Sequence, residues 1–164
     1  MIEPRQPYRM WGEMKKEHDK NSFSVLLMGG DQLYSDAIFA QVSYLNTTWK
    51  HLSREQKIRA TISGETEREI DNFYSKLYIE RWGGLVGGNT QKTQNIKDMA
   101  EILASIPSIM MWDDHDIIDG WGSYDERLNN CEIYQAIFSS AKRHFELLQI
   151  RGTQNKSLIG HGYK

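Results

Sequence analysis

One cysteine among 164 residues, Cys131, cannot form an internal disulfide. Its isolation also excludes a cysteine-rich zinc ribbon and leaves the redox compartment open. Long apolar runs are lacking too. The two longest, residues 25–28 and 109–112, fall far short of the roughly 20 residues that span a bilayer. The opening stretch MIEPRQPYRMW holds no apolar segment of signal-peptide type, so it gives no support for export. Positive charge is not in excess either: 20 Lys and Arg stand against 22 Asp and Glu, a formal net charge of -2, with no basic tail. A nucleic-acid partner bound through phosphate neutralisation is therefore not expected.

What is present suits one folded domain of ordinary size. Hydrophobic residues are 39% of the chain and aromatics 11%, enough to bury a core and too many for a disordered segment. Residues 8–18 predict an amphipathic helix after Pro7, with Met10, Trp11 and Met14 on one stripe. Residues 25–28 then read as a buried strand closed by Gly29 and Gly30, and Asp31 falls in the loop at its carboxyl end, where open α/β sheets place ligand sites. Helices are expected over 39–52, over 65–82 with Ile70, Phe73, Tyr74, Leu77 and Tyr78 at spacings of three and four, and over 95–105. The intervening GGLVGGNT matches neither GxxxxGK[ST] nor GxGxxG and reads as a turn. Pro107 opens a second apolar run, SIMMW, that ends in polar residues like the first. A last amphipathic helix is expected over 132–150, with Ile133, Ile137, Phe138, Ala141, Phe145 and Leu148 inside. Strands alternating with helices predict an α/β fold.

The densest chemistry is DDHDIID. Asp113, Asp114, Asp116 and Asp119 place four carboxylates within seven residues, around His115 and directly after the second strand. Such charges repel unless cations or hydrogen-bond donors offset them. Oxygen ligands beside an imidazole suit Fe, Mn, Zn or Ca rather than Cu(I). The plain alternative is a solvated loop with one Asp capping the next turn. An EF-hand fails on register, because counting from Asp114 puts Ile118 and Asp119 where Asp or Asn and then Gly are needed. The GDQLY segment, with Asp31 and Tyr34, ends the first strand. Parallel neighbouring strands would bring both loops to one sheet edge, able to share a metal pair roughly 3.5 to 4 Å apart.

LLMGGDQLYSD, followed by MMWDDHDIIDGWGSY, resembles the alkaline phosphatase D (PhoD-like) branch of the calcineurin-like metallophosphoesterases. The resemblance runs from about residue 23 to 155 and takes in FYSKLYIERW, IPSIMMW and FELLQIRGTQN. DDHD with DGWGSY is its most specific part. It implies that Asp31 bridges two metals, that Tyr34 binds Fe(III) as a tyrosinate, and that Asp114 is a ligand where the superfamily usually has Asn. His115 then contacts the phosphate or protonates the leaving oxygen. The implied cofactors are two metal ions, Fe(III) plus Ca(II) or another divalent cation such as Zn or Mn. Asp113, Asp116 and Asp119 would support these ligands from outside the set: Asp116 by orienting His115 or capping the loop, Asp119 by making a turn. Asp36 has no firm role, and His18, His51 and His144 read as surface or packed residues.

The implied reaction is hydrolysis of phosphate mono- or diesters by a metal-bound hydroxide, so the expected partner is a phosphate-ester substrate. The family fold is a two-sheet sandwich flanked by helices. Because the superfamily's early Asp motif and its later His motifs have no counterpart here, GHGY at 160–163 being discounted, residues 1–164 are expected to be the middle portion of one such domain and inactive in isolation. A second class of reading is a non-catalytic fragment whose acidic loop holds a structural divalent cation. Substrate identity, oligomeric state and localisation are not legible.

Overall fold

A computed structural model describes residues 8–152. In chain order the elements are α1 (Arg9–Lys20), β1 (Leu26–Met28), α2 (Ile38–Gln41), α3 (Ser43–Thr47), a 3-10 turn (Trp49–His51), α4 (Arg54–Arg59), α5 (Gly64–Arg81) and α6 (Gln91–Ser105). There follow β2 (Ser108–Met110), a 3-10 turn (Asp114–Asp116), α7 (Glu126–Asn129) and α8 (Glu132–His144), which runs on as a π turn over Phe145–Gln149. Helix makes up 60% of the structure and β1 pairs with β2 in a two-stranded parallel sheet, so the fold is mixed and mainly helical. Among the described residues two strands do not build a sandwich. Pro7, residues 153–155 and the GHGY segment lie outside the described residues.

The chain divides into two compact units, one with residues 8–28 and 78–109, the other with 29–77 and 110–152 among those described. In the first, α1 packs along α6, and Lys15 bridges Asp19 and Glu101 at 3.2 and 3.0 Å. Met10 is 69% exposed, which corrects the expected stripe. The packed line runs through Trp11, Met14 and Lys15, and Met10 lies roughly 100° around the helix from Trp11. The strands also depart from expectation. Leu27 is 72% exposed and Ile109 46%, so one face of the sheet meets solvent. Side chains alternate between faces along a strand, and the described residues cover only one of them.

The second unit is built on α5 and α8. Ile70, Phe73 and Tyr74 of α5 and Ile133, Ile137 and Phe145 of the α8 segment are buried. Each contributes about 1.5–3 kcal/mol by leaving water. Leu33, Ile117 and Ile118 are buried in the same unit and anchor two loops, residues 29–36 and 111–120. The expected helix over 39–52 is broken at Val42, whose backbone is extended, because the Ser43 N–H and hydroxyl turn to the Glu69 carboxylate at 2.7 and 3.0 Å. The last helix does not stay α-helical to Ile150. Its final turn widens into the π turn, which shifts the phase and buries Gln149 while Leu148 stays half-buried. α4 adds to the expected helices, and its capping box is written in Ser53 and Gln56.

Candidate metal centre

The site is made by loops 29–36 and 111–120, which follow β1 and β2. Gly30 takes φ 113°, and a Cβ there would sit 2.6 Å from the Asp113 Cβ. Only glycine fits that conformation at that distance. Asp31 follows with φ 57°, a left-handed conformation that costs a non-glycine residue about 1–3 kcal/mol unless its surroundings hold it. Here they do. Asp116 is 2% exposed and accepts the Leu33 N–H at 2.8 Å and the Asp113 N–H at 3.0 Å, clipping one loop to the other. Ser35 adds its N–H to the His115 carbonyl at 3.0 Å, and its hydroxyl lies within reach of the His115 and Ile117 carbonyls. Gln32 donates to the Met111 carbonyl at 2.6 Å, and Tyr74 to that of Ile117 at 2.6 Å.

This framework brings Asp31, Asp114 and His115 together. One carboxylate oxygen from each Asp and one ring nitrogen of His115 lie within 4.8 Å of one another. Asp31 Oδ1 is buried and has no hydrogen-bond partner. An orphaned buried carboxylate oxygen is costly, and a cation would satisfy it. The donor set therefore fits a hard or borderline metal ion. Asp114 Oδ2 accepts the Gly120 N–H at 2.6 Å, which fixes the carboxylate, and Gly120 turns at φ 76°. Tyr34 is 56% exposed and lies beside the group through its ring, whose centroid is 4.7 Å from that of His115.

The supporting carboxylates differ from expectation in one respect. His115 Nδ1 lies 2.7 Å from Asp36 Oδ2, so Asp36 and not Asp116 faces the imidazole. Asp116 ties the loops instead, which leaves it the loop-holding half of its expected role. Asp113 accepts the Asp114 N–H at 2.9 Å and caps the 3-10 turn. Asp119 is exposed beside the Gly120 turn, 3.8 Å from His115 Nε2. Hydrogen bonding to Asp36 raises the His115 pKa above the ordinary histidine value, partial burial pulling the other way. Burial pushes the Asp116 carboxyl up, and the backbone N–H groups it accepts oppose this.

Sequence reasoning gave no role to Asp36, Ser35 or Gln32. Spacing holds no signal for them, because their partners lie roughly 80 residues away in the chain. His144, buried on α8, bonds Ser75 and the Ser140 carbonyl and packs the helices; His51 is exposed, and Cys131 is buried. No helix among the described residues is long and apolar enough to cross a membrane.

The family model described as PhoD related phosphatase matches residues 7–158. Uncharacterized protein YGR266W of Saccharomyces cerevisiae is 34% identical over 142 residues, which cover 85% of this chain and 20% of that protein. The chain thus spans a fifth of the length of that relative. No solved structure matches it.

Proposed function

The chain belongs to the PhoD related phosphatase family, and from that premise we propose that it carries the core of a metal-dependent site hydrolysing phosphate mono- or diesters. The observation that carries the reading is the meeting of Asp31, Asp114 and His115, in the loops that follow β1 and β2 in the chain, with an Asp31 oxygen buried and unpartnered. Asp31 and Asp114 would hold the cations, and Tyr34 would add a phenolate. Bound metal ions would supply charge against the developing phosphoryl charge and a lowered pKa for water. The remaining work falls to the chain's own groups. The imidazole of His115, raised in pKa and held beside the carboxylates, donates a hydrogen bond or proton to a phosphoryl or leaving oxygen. The loop clip at Asp116 keeps these groups in register.

Two carboxylates and one phenol are too few donors for a pair of ions. We therefore read residues 1–164 as part of one metallophosphoesterase sandwich whose other ligands lie elsewhere in the full-length polypeptide. Fe(III) with Ca(II), or another divalent cation such as Zn or Mn, is the pair that the family resemblance implies. A structural cation without catalysis is the second reading, favoured by the number of loop carboxylate oxygens already spent on backbone N–H groups.

The test is chelation of the full-length protein followed by assay on aryl phosphate mono- and diesters. Turnover should vanish on chelation and return with added cations. Turnover that persists after complete metal removal contradicts the proposal, and a drop in Tm with no turnover in either state supports the structural cation. In the iron-loaded protein, Tyr34→Phe should abolish a visible charge-transfer band; an unchanged colour removes Tyr34 from the ligands.

A further inference from the structure

We propose that Gln149 is a brace that aims the two loops of the metal site, a positioning residue for the function proposed above, on which its catalytic meaning rests. It comes from a third element, the π turn at the end of α8, and is 3% exposed. Its Oε1 accepts from Gln32 Nε2 at 3.3 Å, and its amide nitrogen donates to the Asp116 carboxylate. Those two residues anchor opposite loops. Gln32 directly follows Asp31 and also donates to the Met111 carbonyl at 2.6 Å, whereas Asp116 lies two residues after Asp114 and holds the Leu33 and Asp113 N–H groups. One helix-borne side chain therefore touches the anchor of Asp31 and the anchor of Asp114. The segment that carries it is itself seated, because the Phe145 ring stacks on Trp112 of the second loop at 4.6 Å.

The partners dictate how the amides face. A carbonyl only accepts, so Gln32 must turn its nitrogen to Met111, and its second hydrogen then meets Gln149. The Gln32 Oε1 is left buried without a partner. Such an orphan is costly, and apolar side chains of like volume would fill the same space without it. Folding alone does not account for two amides here. What they add is direction, since hydrogen bonds fix Gln32, and through it the left-handed turn at Asp31, as apolar contact does not.

Methionine is unbranched like glutamine and makes none of these hydrogen bonds, so Gln149→Met and Gln32→Met each cut the brace. In the full-length protein, Mn(II) affinity measured by chelator competition should fall roughly 10- to 100-fold in either variant, the usual loss when a group behind a metal ligand is removed. The double variant separates aiming from packing. With no lone amide left between the two positions, its metal-free form should unfold at a denaturant concentration no lower than that of the weaker single variant, while Mn(II) affinity stays low. Affinity that recovers to the parent's value in the double variant would make the pair a packing device and overturn the proposal. Parental affinity in both single variants overturns the brace and leaves the phosphatase reading intact. Lost affinity in a protein whose parent turns over no aryl phosphate ester keeps the brace and removes that reading. Should Gln149→Met fail to fold, Gln32→Met alone decides: parental Mn(II) affinity there overturns the proposal.

Discussion

Loops 29–36 and 111–120 meet through hydrogen bonds, whereas α5 and α8 chiefly bury apolar side chains. The loops spend backbone N–H groups and carbonyls on Asp116, Ser35 and Gln32, and they accept left-handed φ values at Gly30 and Asp31. The helices bury Ile70, Phe73, Ile133 and Ile137, and their polar ties include Ser140 to Asp71 and Ser75 to His144, each 2.8 Å, and the Arg143–Asp71 ion pair. Apolar packing supplies bulk stability without aiming any single group. Hydrogen-bonded clips contribute less net energy each, but they fix direction. Substitutions in the two regions should therefore separate stability from activity.

The largest stability effect is expected among the helices. Ile137→Ala removes a fully buried side chain and should cost about 2–5 kcal/mol in denaturant unfolding, with turnover per folded molecule of the full-length protein unchanged. A variant of parental stability that had lost turnover would break the separation. Gly30→Ala acts on the other side. Its Cβ would overlap Asp113 and its φ is unsuited to alanine, so a loss of about 1–3 kcal/mol should accompany loss of turnover as the loops are forced apart. Unaltered turnover there would show that the close approach of the loops is dispensable.

The smallest effect is a slope with pH. Burial holds the folded-state pKa of His144 below the ordinary histidine value of 6.5, whereas the unfolded chain takes up the proton at that value. The unfolded state therefore binds more protons below pH 6.5, and this part of the stability is complete above it and lost as the pH falls. The slope is at most about 1.4 kcal/mol per pH unit for one group. Unfolding free energies at several pH values should show a shallower acid decline for His144→Gln. An identical decline in the two proteins would place the acid sensitivity elsewhere.

Much of this organisation is legible in the sequence because it is local. The apolar run closed by Gly29 marks the end of β1, the run before Asp113 outlasts β2 by two residues, and spacings of three and four mark α5 and α8. The acidic loop and GDQLY stand out by composition, and the family resemblance singles out Asp31, Asp114 and His115 within them. What escaped is long-range. Nothing in DDHD says that His115 turns to Asp36, 79 residues earlier, and not to Asp116, its direct neighbour. The exposure of Leu27 depends on what covers a sheet face, and the break at Val42 on a carboxylate at Glu69. The π turn that buries Gln149 has no compositional mark.

The proposed function requires that Asp31 hold a cation on which phosphoester hydrolysis depends. Its most direct test is Asp31→Asn in the full-length protein, with bound metal and turnover of an aryl phosphate ester measured on the same preparation. Metal content and turnover should fall together, turnover by at least about 10²-fold, exceeding the loss for residues that only support a ligand, while the metal-free variant unfolds at the same denaturant concentration as the metal-free parent. Parental metal content with parental turnover would contradict the claim.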